Sequence, residues 1–155
     1  MKEDLNQISE LVIRRVILEG DETDQVTIKE EEGNQVIFYE RVDGYRPERN
    51  LEKTLNPDGS SCRKLQTLVN FSLENRSLNF QAKDVLDGII YEVRIESCGT
   101  TSTADLFCPR YSSDPQIKKA GELLDALFEQ IENEVSNGTK GATRRLWQRL
   151  WRATS

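Results

Sequence analysis

The spacing of apolar and polar residues changes several times along the chain, and each change predicts an element. Residues 2–10 are polar apart from Leu5 and Ile8, which suits one or two helical turns. Leu11–Leu18 (LVIRRVIL) admits helix or strand, but its density of β-branched Val12, Ile13, Val16 and Ile17 favours a strand. Gly20–Asp24 reads as a turn into Gln25–Glu31, where Val26 and Ile28 alternate with Thr27 and Lys29. Gly33-Asn34 is a tight-turn signal, and Gln35–Val42 is the next strand, so this part predicts an antiparallel meander. Residues 43–64 read as a long loop punctuated by Asp43-Gly44, Arg46-Pro47 and Asn56-Pro57-Asp58-Gly59.

Leu65–Phe71 fits a short helix or a strand, and in residues 74–84 only Leu78 and Phe80 point inward. Ile89–Ser97 carries the clearest period of two. Ile89, Tyr91, Val93 and Ile95 face one way, and Ile90, Glu92, Arg94 and Glu96 the other, as in a strand with one wet face. Gly99–Ser102 turns it into Thr103–Cys108, which would set Cys98 opposite Thr103 and Cys108 opposite Val93. Asp114-Pro115 is a helix start, an N-cap acceptor followed by proline at the first helical position. From there to about Ser136, Ile117, Ala120, Leu124, Leu127, Phe128, Ile131 and Val135 form one apolar stripe. Its end charges oppose the helix dipole: Lys118-Lys119 come early, and Glu132 and Glu134 late. The pattern predicts an α+β fold, an antiparallel sheet of about five strands packed against this long amphipathic helix.

A last segment stands apart. In Thr143–Ala153 (TRRLWQRLWRA), Leu146, Trp147, Leu150 and Trp151 share one helical face, and Arg145, Arg149 and Arg152 another. Both tryptophans of the chain lie here. Such a short amphipathic helix suits a membrane surface, a groove on a partner, or the acidic domain itself. These seven residues are the predicted partner- or membrane-binding set. Charge divides the chain at the same place. Residues 1–136 hold 16 Lys and Arg against 27 Asp and Glu, a net of −11, while residues 137–155 hold five cations and no acid. Two parts follow, an acidic α+β domain (1–136) and a basic, tryptophan-containing tail (137–155). The domain repels nucleic acid, and it suits a basic protein partner.

Composition narrows the chemistry. The 155 residues suit one domain with a real core. Histidine is absent, which removes Ser-His-Asp and Cys-His catalysis and the histidine zinc motifs. No glycine-rich phosphate loop occurs, so no cofactor is expected. Cys62, Cys98 and Cys108 have neither disulfide-framework nor zinc spacing and read as small core residues. The acid groups Asp21-Glu22-Asp24 and Glu30-Glu31-Glu32 lack the spacing of a calcium loop and read as solvated strand ends. The remaining enzymatic option uses clustered carboxylates or a Cys108 thiolate near Arg110. Met1-Lys2-Glu3-Asp4 does not resemble a signal peptide, and no apolar run is long enough to span a bilayer, so the expected location is cytoplasmic. In size and charge the chain resembles bacterial immunity proteins and secretion chaperones as a class; no motif carries that likeness, and no residue is assigned from it. The expected function is non-enzymatic binding of a basic protein, as an inhibitor or immunity-type factor. The alternative is peripheral membrane attachment through the tail.

Overall fold

The computed structural model describes residues 5–138, so the tail residues Arg145, Leu146, Trp147, Arg149, Leu150, Trp151 and Arg152 lie outside the described residues. After a single 3-10 turn at Leu5–Gln7, β1 (Ile8–Ile17), β2 (Glu22–Glu31) and β3 (Asn34–Asp43) form the predicted meander. The region read as loop is more ordered than its turn residues suggest. A 3-10 turn at Pro47–Arg49 leads into β4 (Leu51–Thr54), a short edge strand on β3, and α1 begins at Ser60. α1 (Ser60–Glu74) resolves the helix-or-strand ambiguity of residues 65–71. Cys62, Leu65, Leu68, Val69 and Ser72 are buried at helical spacing, and the polar SSCRK stretch is its first turn.

β5 (Ser77–Gln81), β6 (Ile89–Ser97), β7 (Thr100–Phe107) and α2 (Pro115–Gly138) complete the chain. The sheet order is β4-β3-β2-β1-β6-β7-β5. The fold is therefore α+β, with seven strands instead of about five and one parallel pair, β5 beside β7. The loop 82–88 carries the chain from β5 across the end of β7 into β6, so the parallel pairing is nonlocal and leaves no hairpin signal between β5 and β6.

The β6–β7 turn is tighter than the spacing of Cys98 and Thr103 suggests. Ser97 pairs with Thr100 and Val93 with Ala104, leaving Cys98 (φ 48°) and Gly99 (φ 80°) as a two-residue turn. Positive φ at both positions matches the right-handed twist of the flanking strands. Cys98 is thus exposed at a turn instead of filling the core, while Cys62 and Cys108 are buried; all three are free thiols. Burial, with Glu134 and Asp58 nearby, pushes the Cys62 thiol up to about 11.

Both helices lie on one face of the sheet, packed against each other and closing a single apolar core. The stripe predicted on α2 is buried at all seven positions from Ile117 to Val135. Asp114 Oδ1 caps the helix by accepting from the Gln116 N–H at 2.9 Å. The carboxylates that oppose the α2 dipole have other partners. Glu132 accepts from Arg15 at 2.6 Å, and Glu134 accepts from the Ser61 N–H at 2.9 Å and the Ser61 hydroxyl at 2.6 Å. α1 has no side-chain cap of its own at Gly59, so Glu134 supplies an anion to its N-terminus across the interface. Gly121 permits the opposite end of α2 to seat. A Cβ there would lie 2.7 Å from Pro109 Cγ, in the 3-10 turn Pro109–Tyr111. No helix among the described residues is long and apolar enough to cross a membrane.

Candidate protein-binding surface

The helix-free face of the sheet can be read row by row from the strand register. Its row at one end runs Val42, Thr23, Val16, Ile90, Phe107 and Gln81, each paired laterally with the next across β3, β2, β1, β6, β7 and β5; from Val42 to Phe107, over five strands, it is apolar but for Thr23. The adjacent row has the opposite character, running Glu40, Gln25, Arg14, Glu92, Asp105 and Asn79. Polar groups in this part of the face pair with each other. Arg14 Nε donates to Gln25 at 3.1 Å and its Nη1 lies 3.9 Å from Glu92, while Arg94 bridges Glu96 at 3.0 Å and Glu10 at 3.5 Å. In a shallow depression lined by Arg14, Glu92, Arg94 and Asp105 both arginines therefore already have carboxylate partners.

The apolar row continues over the rim of the sheet. Among the described residues, the exposed large apolar side chains are Leu18, Val42, Tyr45, Leu86 and Tyr111, and all five lie at this end. The backbone stitches them into one border. The Gly44 N–H donates to the Asp21 carbonyl at 2.9 Å, the Leu18 N–H to Gly88 at 3.1 Å, and the Cys108 N–H to Ile89 at 2.9 Å. Leu86 stands 94% exposed on the crossing loop 82–88, and Tyr45 72% exposed beyond β3. Exposed charges of both signs stand beside them, Glu19, Asp21, Asp84 and Asp87 with Arg46, Lys83 and Arg110. An apolar strip inside a charged border has the anatomy of an interface, with an apolar centre and a charged rim.

Beneath the row, on the helix face, lies a buried ion network that sequence reading missed. Asp24 is fully buried, not part of a solvated strand end. It accepts from Arg15 Nε at 2.9 Å, Arg15 Nη2 at 2.5 Å and the Tyr39 hydroxyl at 2.5 Å. Arg15 Nη2 also meets Glu132 at 2.6 Å and Glu22 at 3.6 Å, and its guanidinium lies 4.7 Å over the Phe128 ring. Arg49 joins Glu22 at 3.2 Å to Asp43 at 3.1 Å. Asp43 Oδ1 accepts from the N–H groups of Tyr45 and Arg46, which fixes the start of the 43–50 connection and so the position of Val42 and Tyr45. Although Asp43 is buried, those N–H donors and the Arg46 and Arg49 side chains hold its carboxyl below the usual range. Burial pushes the Tyr39 phenol up, reinforced by Asp24, so Tyr39 is a donor at any ordinary pH. The signal was present in the alternation: Glu22 and Asp24 share the face of Val26, and Arg15 shares the face of Leu11 and Ile13.

Carboxylate oxygens of Glu22, Asp24 and Glu132 lie within 4.8 Å of one another, close enough to hold a cation, and the Arg15 guanidinium is the cation among them. Glu22 is the member with the weakest compensation. Burial first, then the Asp24 charge, pushes its carboxyl up from an ordinary 4.5 to about 7, against the pull of Arg49 and Arg15. A raised acid stabilises the fold while both states are protonated, and that contribution is lost as pH rises through the folded value. Glu22→Gln is therefore expected to match wild type at about pH 5 and to exceed it by on the order of 1–2 kcal/mol at about pH 8. Urea unfolding of both proteins across that range checks this, and an unchanging difference would refute the assignment.

Cys108, the candidate nucleophile, is buried in a left-handed backbone conformation (φ 50°), and a Cβ on Gly88 would lie 2.2 Å from its Sγ. Its sulfur thus packs under the crossing loop. Glu30, Glu31 and Glu32 are exposed around the β2–β3 turn, as expected. Comparison of the chain with protein-family models, with curated proteins and with solved structures finds no match.

Proposed function

We propose that the chain is a non-enzymatic protein-binding module, an inhibitor or immunity-type factor of the cytoplasm, whose sheet end engages a basic partner. The observation that carries this reading is the continuity of the apolar row Val42–Phe107 with the exposed apolar rim, inside a charged border that includes the carboxylates Glu19, Asp21, Asp84 and Asp87. The apolar centre supplies affinity by desolvation, and those carboxylates steer a cationic surface onto it and raise the association rate. Val42→Asp and Leu86→Asp are each expected to weaken the complex about 30-fold, the scale of burying a carboxylate against an apolar contact. Asn79→Asp, in the polar row, leaves it within a few tenths of a kcal/mol of wild type, roughly the value of a rim change. Capture from the source cells with these variants, at low and high salt, tests the reading. A protein held by wild type and Asn79→Asp, lost by the other two, and released by salt supports it; a partner held equally by all of them refutes it.

The tail sequence favours a second reading, attachment to an anionic membrane, with Arg145, Arg149 and Arg152 at the headgroups and Trp147 and Trp151 at the boundary. Co-sedimentation of the full chain with phosphatidylserine vesicles tests it, and a chain left in the supernatant ends it.

A further inference from the structure

We propose that the apolar row at the sheet end is occupied, in the protein free of its partner, by the chain's own C-terminal segment Thr143–Ala153. The inference rests on the reading of this row as a docking surface, and it names an occupant that is part of the same chain. Two properties match.

The first is length. The row crosses five strands, hence four lateral spacings, or about 19 Å. Eleven residues wound as a helix measure about 16 Å. The second is chemistry. The segment places Leu146, Trp147, Leu150 and Trp151 on one helical face for an apolar strip, and Arg145, Arg149 and Arg152 on another. Asp105 on the sheet and Glu19, Asp21, Asp84 and Asp87 along the rim supply anions, among the exposed cations Arg46, Lys83 and Arg110, while Glu40 and Glu92 already face Lys29 and Arg14. The tail's five cations are the complement of a domain whose net charge is −11.

Docking within one chain works at an effective concentration of roughly millimolar, so a weak contact suffices. A partner must displace the segment, which makes the tail an internal competitor for the binding surface.

The test uses the full chain and its own reporters. Trp147 and Trp151 are the only tryptophans, so tryptophan emission and acrylamide quenching read this segment alone. The expected result is blue-shifted emission, with quenching well below that of a synthetic 139–155 peptide. High salt, Val42→Asp and Leu86→Asp each move both signals toward the peptide's, and Asn79→Asp does not. Salt titration of the wild type needs no variant, so a misfolded variant does not block the test. Emission equal to the peptide's overturns the proposal, as does a blue shift indifferent to the rim variants. A shift that grows with protein concentration assigns the occupant to a second copy, and one that needs phosphatidylserine vesicles assigns the segment to a membrane; either also overturns it. The partner reading fails separately. Capture lost in the rim variants with unchanged emission leaves that reading standing and removes this one.

Discussion

Arg15→Ala is expected to destabilise the protein by about 3–5 kcal/mol, the cost of removing one partner from a buried ion pair. The guanidinium is the cation around which Asp24, Glu22 and Glu132 converge, and Asp24 is fully buried. Without Arg15, Asp24 keeps the Tyr39 hydroxyl and, while Glu22 is protonated, the Glu22 carboxyl as side-chain donors. Neutral donors alone do not offset the desolvation of a carboxylate. Two details raise the expected loss above that of an ordinary surface pair. Arg15 also covers the Phe128 ring, and Glu132 links the network to α2, so the substitution loosens the seating of the helix on the sheet. Adding Asp24→Asn to Arg15→Ala removes the orphaned charge and is expected to recover about half of the loss, because contacting residues are not additive. Urea denaturation of the two single variants and the double variant completes the cycle. Equal losses for Arg15→Ala and the double variant would mean that Asp24 is hydrated after the arginine is gone, and that the network contributes packing alone.

How legible this was depends on the range of the pairing. β2 and β6 follow from period-two alternation, β1 from its density of β-branched residues, β3 from the Gly33-Asn34 turn before it, and α2 from its stripe and its Asp114-Pro115 start, because each of these signals is local. β4 was hidden because four residues with alternating partial exposure, Leu51–Thr54, have no core face to announce them. β5 was hidden because its partner β7 is about 25 residues downstream and parallel, with β6 between them in sequence. The start of α1 was hidden for another reason. Its first turn is polar, and its capping carboxylate, Glu134, comes from the other helix. The apolar row was hidden in plain alternation. Val16, Ile90 and Phe107 belong to three strands, and only the register places them side by side with Val42 and Thr23. Arg15 and Asp24 had a visible signal, since charges on an otherwise apolar face must be paired.

Phe128→Ala is expected to cost about 3–5 kcal/mol, the usual range for emptying a buried phenylalanine site. Phe128 is fully buried at the centre of the α2 stripe, between Leu124, Leu127 and Ile131. Its ring stacks on Tyr91 with centroids 6.1 Å apart and 24° between planes, and carries the Arg15 guanidinium on its face. The Tyr91 hydroxyl in turn donates to Asp125, one turn earlier on α2, so the Tyr91 ring is held and cannot swing into the space. Arg15 is held as well, by Asp24 and Glu132, and it will not move into an apolar cavity away from its anions. A site whose walls cannot relax keeps its void, and the void sets the cost. The upper half of the range is therefore expected, and Phe128→Leu, which fills most of the volume, should lose roughly 1–2 kcal/mol. Part of the difference belongs to the guanidinium contact, worth about 1–2 kcal/mol when desolvated. A cycle with Arg15→Ala isolates that part, and Phe128→Ala must cost less in its background. A cost under about 2 kcal/mol for Phe128→Ala, at an unchanged denaturant slope, would show that Tyr91 or Arg15 collapses into the space, contrary to the rigidity their hydrogen bonds imply.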